Sequence, residues 1–308
     1  EQSPTPAVLK FRPVTTVHLS LPPGYRIESL VDGLEFPAAL SATPDGRLLI
    51  AEQTTGKVRV FRNGALEAAP WLTVPVSFGQ GFVQELGLTG ILVDPEFAAN
   101  GYVYLYYTTA EGDGPRYTTL VRYRDVGGRG AEPKVLLRID RETERTHVAG
   151  GLTFAGGALF VGIGDHENAD LAQRLDVVTG KILRIDREGA PLPDNPFIGR
   201  SDADPRVYAY GVRNPFGMSA DTATGLVYFT DNRDAAGDAV YALEPGTNYG
   251  WPVERLALVE PLLVYEKPMG LAGAAFYSRT ELPELTGSLL FCSFHFNGML
   301  HWSDVTPG

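Results

Sequence analysis

One cysteine, Cys292, is the only thiol in the sequence. An internal disulfide is therefore excluded, and so is a Cys-rich metal centre. Such scarcity fits an oxidising compartment. No apolar run approaches the roughly 18 residues that a membrane-spanning helix requires. Positive charge is in deficit: 26 Lys and Arg stand against 37 Asp and Glu, a formal net charge of −11. An acidic surface of this kind repels phosphate backbones, which argues against nucleic acid as a partner. Helical periodicity is also missing beyond a turn or two. The nearest approach, ENADLAQRLDVV, is expected to form a short helix on a loop.

Turn residues, by contrast, are plentiful. The 35 glycines and 23 prolines are scattered rather than clustered, so they indicate many turns and not a disordered tract. A hydrophobic fraction of 44% is enough for a sizeable core. The opening stretch EQSPTPAVLKFRP is a Pro/Ser/Thr-rich tether without apolar periodicity, read here as the start of a mature exported chain, with a cloning boundary or a cytosolic start as the alternative. Residues 1–17 are expected to be a tail and residues 18–308 one domain.

One unit recurs five times. A short strand and a turn ending in glycine lead into a strongly apolar strand, then a polar loop and an alternating strand. The turn glycines are Gly46, Gly101, Gly157, Gly225 and Gly287, at intervals of 55, 56, 68 and 62 residues. RLLIAE, YVYLYY, ALFVGIG, LVYFTD and SLLFCSF are rich in β-branched and aromatic residues, as strands buried on both faces are. KVRVFR, LVRYR and KILRID alternate apolar with basic, as half-exposed strands do. The DG, NG, GG and TG pairs supply the positive-φ turns of tight hairpins. The fold class is therefore all-β. Four-stranded antiparallel blades with short edges point to a β-propeller, with a β-sandwich carrying long loops as the alternative. A propeller carries its sites near the central channel, on loops that join neighbouring strands.

Those loops hold the polar residues: QELGLTG (84–90), THVAGG (146–151), GDHENADLAQ (164–173), GVRNPFG (211–217), TDNRDAAGD (230–238) and GTNYGWP (246–252). With GLTGILVDPEFAANGYVYLYYT, HVAGG…GIGD, Q…TGKILRIDREGAPLPDNPF, VYAYGVRNPFGMSADTATG and LEPGTNYGWP in this order, the chain resembles the soluble quinoprotein sugar dehydrogenases. That group includes soluble glucose dehydrogenase and the aldose sugar dehydrogenases. The resemblance runs from about residue 24 to 300. It implies a six-bladed propeller holding pyrroloquinoline quinone (PQQ) and Ca²⁺ above the channel. Only five units are present, so the last blade is expected to be incomplete here or completed by the N-terminal segment.

The resemblance implies a role for each matching residue. His147 would be the general base that takes the sugar hydroxyl proton, a task suited to an imidazole; read alone, it is equally a turn histidine with a structural hydrogen bond. Arg213 would stabilise charge on the reduced quinone, the alternative being an inter-blade salt bridge. Asn214 would add a donor to the same cofactor. Glu85, with Gln84 as the neighbouring choice, would lie near sugar or cofactor. Asp165 would orient His147 or bind in the same mouth. Gln173 would contact the cofactor, while Lys181 is read as structural. Tyr249 and Trp251 are read as packing for a blade corner.

Three departures from the family pattern stand out. HVAGG lacks the arginine that follows the glycines in H-x-G-G-R. RNPFG stands where R-N-x-Q-G is common. TDNRDAAGD stands where an H-G-P segment helps to hold Ca²⁺. Asp231, Asn232 and Asp234 are the candidate replacement ligands, since Ca²⁺ accepts carboxylates and carbonyls in flexible geometry; the alternative is a solvated turn. The resulting expectation is a periplasmic or extracellular PQQ- and Ca²⁺-dependent oxidoreductase acting on aldose sugars or related alcohols. Its electrons would leave to a separate acceptor such as a quinone, a cytochrome or a dye. A non-enzymatic propeller binding a protein or glycan is the second reading, and a Ca²⁺-dependent lactonase-type hydrolase the third.

Overall fold

A computed structural model describes residues 23–78, 85–112, 114–140, 146–234, 237–295 and 298–305. The tail expected over residues 1–17 lies outside them. The described residues form five antiparallel sheets arranged as propeller blades. Blade one contains β1 (Pro37–Ala42), β2 (Leu48–Glu52), β3 (Lys57–Arg62), β4 (Ala65–Leu66) and β5 (Leu72–Thr73), the last pairing with β3. Blade two contains β6 (Leu88–Val93), β7 (Tyr102–Ala110), β8 (Arg116–Val126) and β9 (Arg129–Ile139). Blade three contains β10 (Ala149–Ala155), β11 (Ala158–Ile163), β12 (Lys181–Ile185) and β13 (Val207–Tyr210). Blade four contains β14 (Met218–Ala220), β15 (Val227–Asp231), β16 (Ala239–Ala242) and β17 (Leu263–Val264). Blade five contains β18 (Leu271–Tyr277), β19 (Ser288–Ser293) and β20 (Met299–Asp304). The five turn glycines lie between the first two strands of successive blades.

The strands read as buried on both faces are β2, β7, β11, β15 and β19. The first four are almost wholly buried. Their alternate residues feed different junctions. Val103, Leu105 and Tyr107 of β7 pack toward blade one, whereas Tyr104 and Tyr106 pack toward blade three. On β15, Val227 and Phe229 face blade three while Tyr228 faces blade five. Four apolar clusters therefore fill the four junctions between successive blades. Burying an aromatic or aliphatic side chain in such a junction contributes roughly 1.5–3 kcal/mol.

The expectation of six blades is corrected to five. The innermost strands pack in the order β1, β6, β10, β14, β18, and among the described residues no apolar cluster joins β18 back to β1. The burial pattern follows from this. In β19 Cys292 is exposed, and in β1 Leu40 keeps 62% of its surface; among the described residues the blades holding them pack against one neighbouring blade each. Among the described residues helix is confined to one turn at Phe97–Asn100 and three short 3₁₀ segments. One of these, Ala169–Gln173, lies within the loop read as holding a short helix. Among the described residues no helix is long and apolar enough to cross a membrane.

Lys181 anchors that 3₁₀ turn. The side chain is fully buried, and its Nζ donates to the carbonyls of Leu171, Ala172 and Thr179 at 2.8–2.9 Å. Burial pulls the ammonium's pKa down to about 7, while the three carbonyls favour the charged form. Lys181→Met leaves three buried acceptors unsatisfied and is expected to lower stability by about 3 kcal/mol. Urea unfolding at neutral pH measures this, and an unchanged midpoint would show that the ammonium contributes nothing net.

Candidate active site

Antiparallel pairing decides where the site falls. Each innermost strand begins at the end of the blade where its neighbour, the second strand, finishes. Residues just before β6, β10 and β14 therefore meet residues just after β11 and β15. Glu85, His147, Arg213 and Asn214 come from the first group, and Asp165 and Asn232 from the second, with Asp231 as the last residue of β15.

His147 has a left-handed backbone, with φ 58°. Its N–H donates to Glu85 Oε2 at 2.6 Å, and its Nδ1 lies 2.7 Å from Asp165 Oδ1. A carboxylate only accepts, so Nδ1 carries a proton, and in the neutral imidazole Nε2 then keeps the lone pair. Asp165 is 1% exposed. Its Oδ1 also accepts from the Glu167 amide at 3.0 Å, and its Oδ2 accepts from Trp251 Nε1 at 2.8 Å. Gly164 permits this approach, since a Cβ there would stand 2.0 Å from the carbonyl oxygen of His147. Ala149, His166 and Glu167 share the left-handed conformation, with φ of 59°, 52° and 60°. Backbone strain is thus concentrated around the imidazole.

Glu85 ties two loops together. It takes the His147 amide and also the Asn214 Nδ2, at 3.0 and 3.2 Å. Burial pushes its carboxyl pKa up, opposed by His147, the Asn214 amide and Arg213. Asn214 thus spends its amide donor on Glu85, and its Oδ1 is buried without a partner among the described residues. Gln84 lies outside the described residues.

Arg213 enters no salt bridge among the described residues. Its Nη1 donates to the Asn232 carbonyl at 2.9 Å, its Nε is buried without a partner, and its guanidinium carbon lies 5.4 Å from the centre of the Trp251 ring. A planar cation with no carboxylate partner among the described residues fits a flat, anionic group such as PQQ. Gln173 is a different matter. Its Nε2 donates to Asn248 Oδ1 and to the Trp251 carbonyl, and its Oε1 accepts from Asn248 Nδ2. Both polar atoms are engaged by protein, so Gln173 braces the loop that carries Asn248 and Trp251.

The expected ligand trio Asp231, Asn232 and Asp234 does not converge. Asp231 is buried and accepts the backbone N–H of Arg213 and of Asn214, and burial pushes its pKa up. Asn232 donates to the Leu271 carbonyl at 2.7 Å, and Asp234 is exposed. The buried part of the trio offers one uncommitted side-chain oxygen, Asn232 Oδ1. Calcium requires about six to eight oxygens, so this donor set does not fit it. Among the described residues no three His, Cys, Asp or Glu side chains are grouped to hold a metal ion. Trp251, read from the sequence as packing, also has a polar contact that the reading did not include. The available signal was the indole N–H, which finds a partner when it is enclosed.

A carboxylate-backed imidazole and an arginine thus share the mouth of a stack of antiparallel blades. The chain belongs to the Glucose / Sorbosone dehydrogenase family, whose model matches residues 34–304. It is 27% identical over 306 residues to the Aldose sugar dehydrogenase YliI of Escherichia coli, spanning 92% of this chain and 80% of that protein. The apo soluble aldose sugar dehydrogenase from Escherichia coli superposes with a TM-score of 0.77 at 25% identity, over 90% of this chain and 88% of that one. The PQQ-bound aldose sugar dehydrogenase of Streptomyces coelicolor gives 0.70 at 24% identity, over 87% and 77%, and shares the fold.

The raised pKa of Glu85 gives a stability test. Its folded-state value lies above the unfolded one, so its contribution is full below the ordinary Glu value of 4.5 and is lost as pH rises through the folded value. Glu85→Gln has no such loss. Its thermal stability relative to the parent is expected to increase between pH 4 and pH 8, and a pH-independent difference would contradict the raised value.

Proposed function

We propose that this chain oxidises aldose sugars or related alcohols to lactones with PQQ, and that the electrons pass on to an external acceptor. The observation that carries the reading is the His147–Asp165 pair, with Nδ1 and carboxylate 2.7 Å apart. PQQ, when bound, supplies the two-electron oxidant. The chain's own residues supply the rest. Asp165 holds His147 in the tautomer that leaves Nε2 free to accept the proton of the sugar hydroxyl. The imidazolium so formed is stabilised by the carboxylate behind it. Arg213 would hold the anionic cofactor and offset negative charge that develops on it. Glu85 and Asn214 keep the His147 and Arg213 loops in register. No step is assigned to calcium, because Asp231, Asn232 and Asp234 do not form its nest. A periplasmic or extracellular place of action belongs to the same reading, supported by the low cysteine count.

The test mixes the purified protein with PQQ, with and without Ca²⁺, and follows dye reduction over a panel of aldoses. His147→Ala is expected to lower kcat by about 10²–10⁴. Arg213→Ala is expected to weaken PQQ binding, read from the cofactor's absorbance. Neither a cofactor spectrum nor turnover with the unaltered protein would favour a non-enzymatic propeller that binds a protein or glycan. Full turnover in His147→Ala would remove the imidazole from the mechanism.

A further inference from the structure

Packing at a blade corner does not account for the polar contacts of Trp251. Its backbone is fixed first: the N–H donates to the Gly211 carbonyl at 2.8 Å, and its own carbonyl accepts from Gln173 Nε2 at 2.6 Å. Gln173 is in turn paired with Asn248. The indole is thereby presented from a braced loop. Its Nε1 reaches Asp165 Oδ2 at 2.8 Å, and its ring lies against Arg213. One side chain touches both the carboxylate behind the imidazole and the guanidinium beside it.

We propose that Trp251 is a positioning residue: its indole N–H orients the Asp165 carboxylate, draws charge from it, and so moderates the basicity of His147. The physical argument rests on how Asp165 shares its two oxygens. Oδ1 serves His147 Nδ1 and the Glu167 amide, and Oδ2 serves Trp251. Removing the indole donor leaves a buried oxygen unsatisfied, and the negative charge then concentrates toward the imidazole. A protonated His147 is stabilised as a result. The other titratable or charged groups around His147 are Glu85, which holds its N–H; His166, a buried histidine whose backbone N–H donates to the His147 carbonyl at 3.2 Å; Glu167, which takes the Thr146 N–H and hydroxyl; and Arg213, whose carbonyl accepts the Asp165 N–H. None of these contacts involves the indole N–H, so they remain when it is removed. The consequence for turnover rests on the dehydrogenase reading; the effect on His147 does not.

The experiment compares the parent protein with Trp251→Phe, which keeps an aromatic face for Arg213 and loses the donor. The five histidines are titrated by NMR in the cofactor-free protein, with His147 assigned through its loss in His147→Asn. In Trp251→Phe the His147 midpoint is expected to rise by roughly half a unit or more, with the other histidines unchanged. The acid limb of kcat/KM for PQQ-supported dye reduction should move up by the same amount. A folded Trp251→Phe variant with an unmoved His147 midpoint overturns the proposal. If that variant does not fold, the parent decides. The Trp251 indole N–H resonance must follow the His147 titration with the same midpoint, and a resonance that stays still overturns the proposal. Failure of the dehydrogenase reading would leave both NMR outcomes intact, so the two ideas fail separately.

Discussion

Each central strand of this protein is apolar on both faces, and neither face can be left in water without cost. The chain meets that constraint by stacking sheets, so that Tyr104 and Tyr106 lean one way from β7 while Val103 and Leu105 lean the other. Stacking fixes the relative placement of the strand ends. Glu85, His147, Asp165, Arg213, Asp231 and Trp251 span more than half the sequence, yet they share one mouth because they occupy equivalent ends of successive blades. The site is thus a consequence of how the hydrophobic junctions close. No local motif builds it.

Three enclosed carboxylates dominate that mouth, and each is managed differently. Asp231 is wrapped by the backbone amides of Arg213 and Asn214, which splices blade three to blade four. Glu85 clamps the His147 amide and the Asn214 side chain. Asp165 alone is turned to an imidazole. Residues of one chemical type therefore acquire structural or chemical roles according to which donors surround them. The raised pKa values of Glu85 and Asp231 show that burial outweighs the stabilisation those donors provide.

Much of the blade pattern was legible in the sequence. Turn glycines and two-faced apolar strands are local signals, and Gly46, Gly101, Gly157, Gly225 and Gly287 marked five hairpins that the structure contains. The number six came from resemblance and not from the repeat, and it is the part that changed. Within the site, the pairing of His147 with Asp165 was among the arrangements the sequence suggested, and the two side chains do meet. The contacts of Gln173 and Asn232 were not legible, because their partners, Asn248 and Leu271, come from distant loops that no local pattern names. Trp251 was read by its ring and not by its N–H. A side chain with two chemical faces is easily assigned to the wrong one when its neighbours are unknown.

The left-handed residues around His147 bear on where this molecule opens first. Each non-glycine residue held there costs on the order of 1–3 kcal/mol, and four such residues fall between positions 147 and 167. Among the described residues the neighbouring blades carry fewer such residues, so this loop is where local opening is expected to cost least. Exchange of the amides of His147, Ala149, His166 and Glu167 with solvent would then proceed through small openings of the mouth while the junctions between blades stay shut. The stacked junctions hold the fold together, and the strained loop gives it a region that can yield locally.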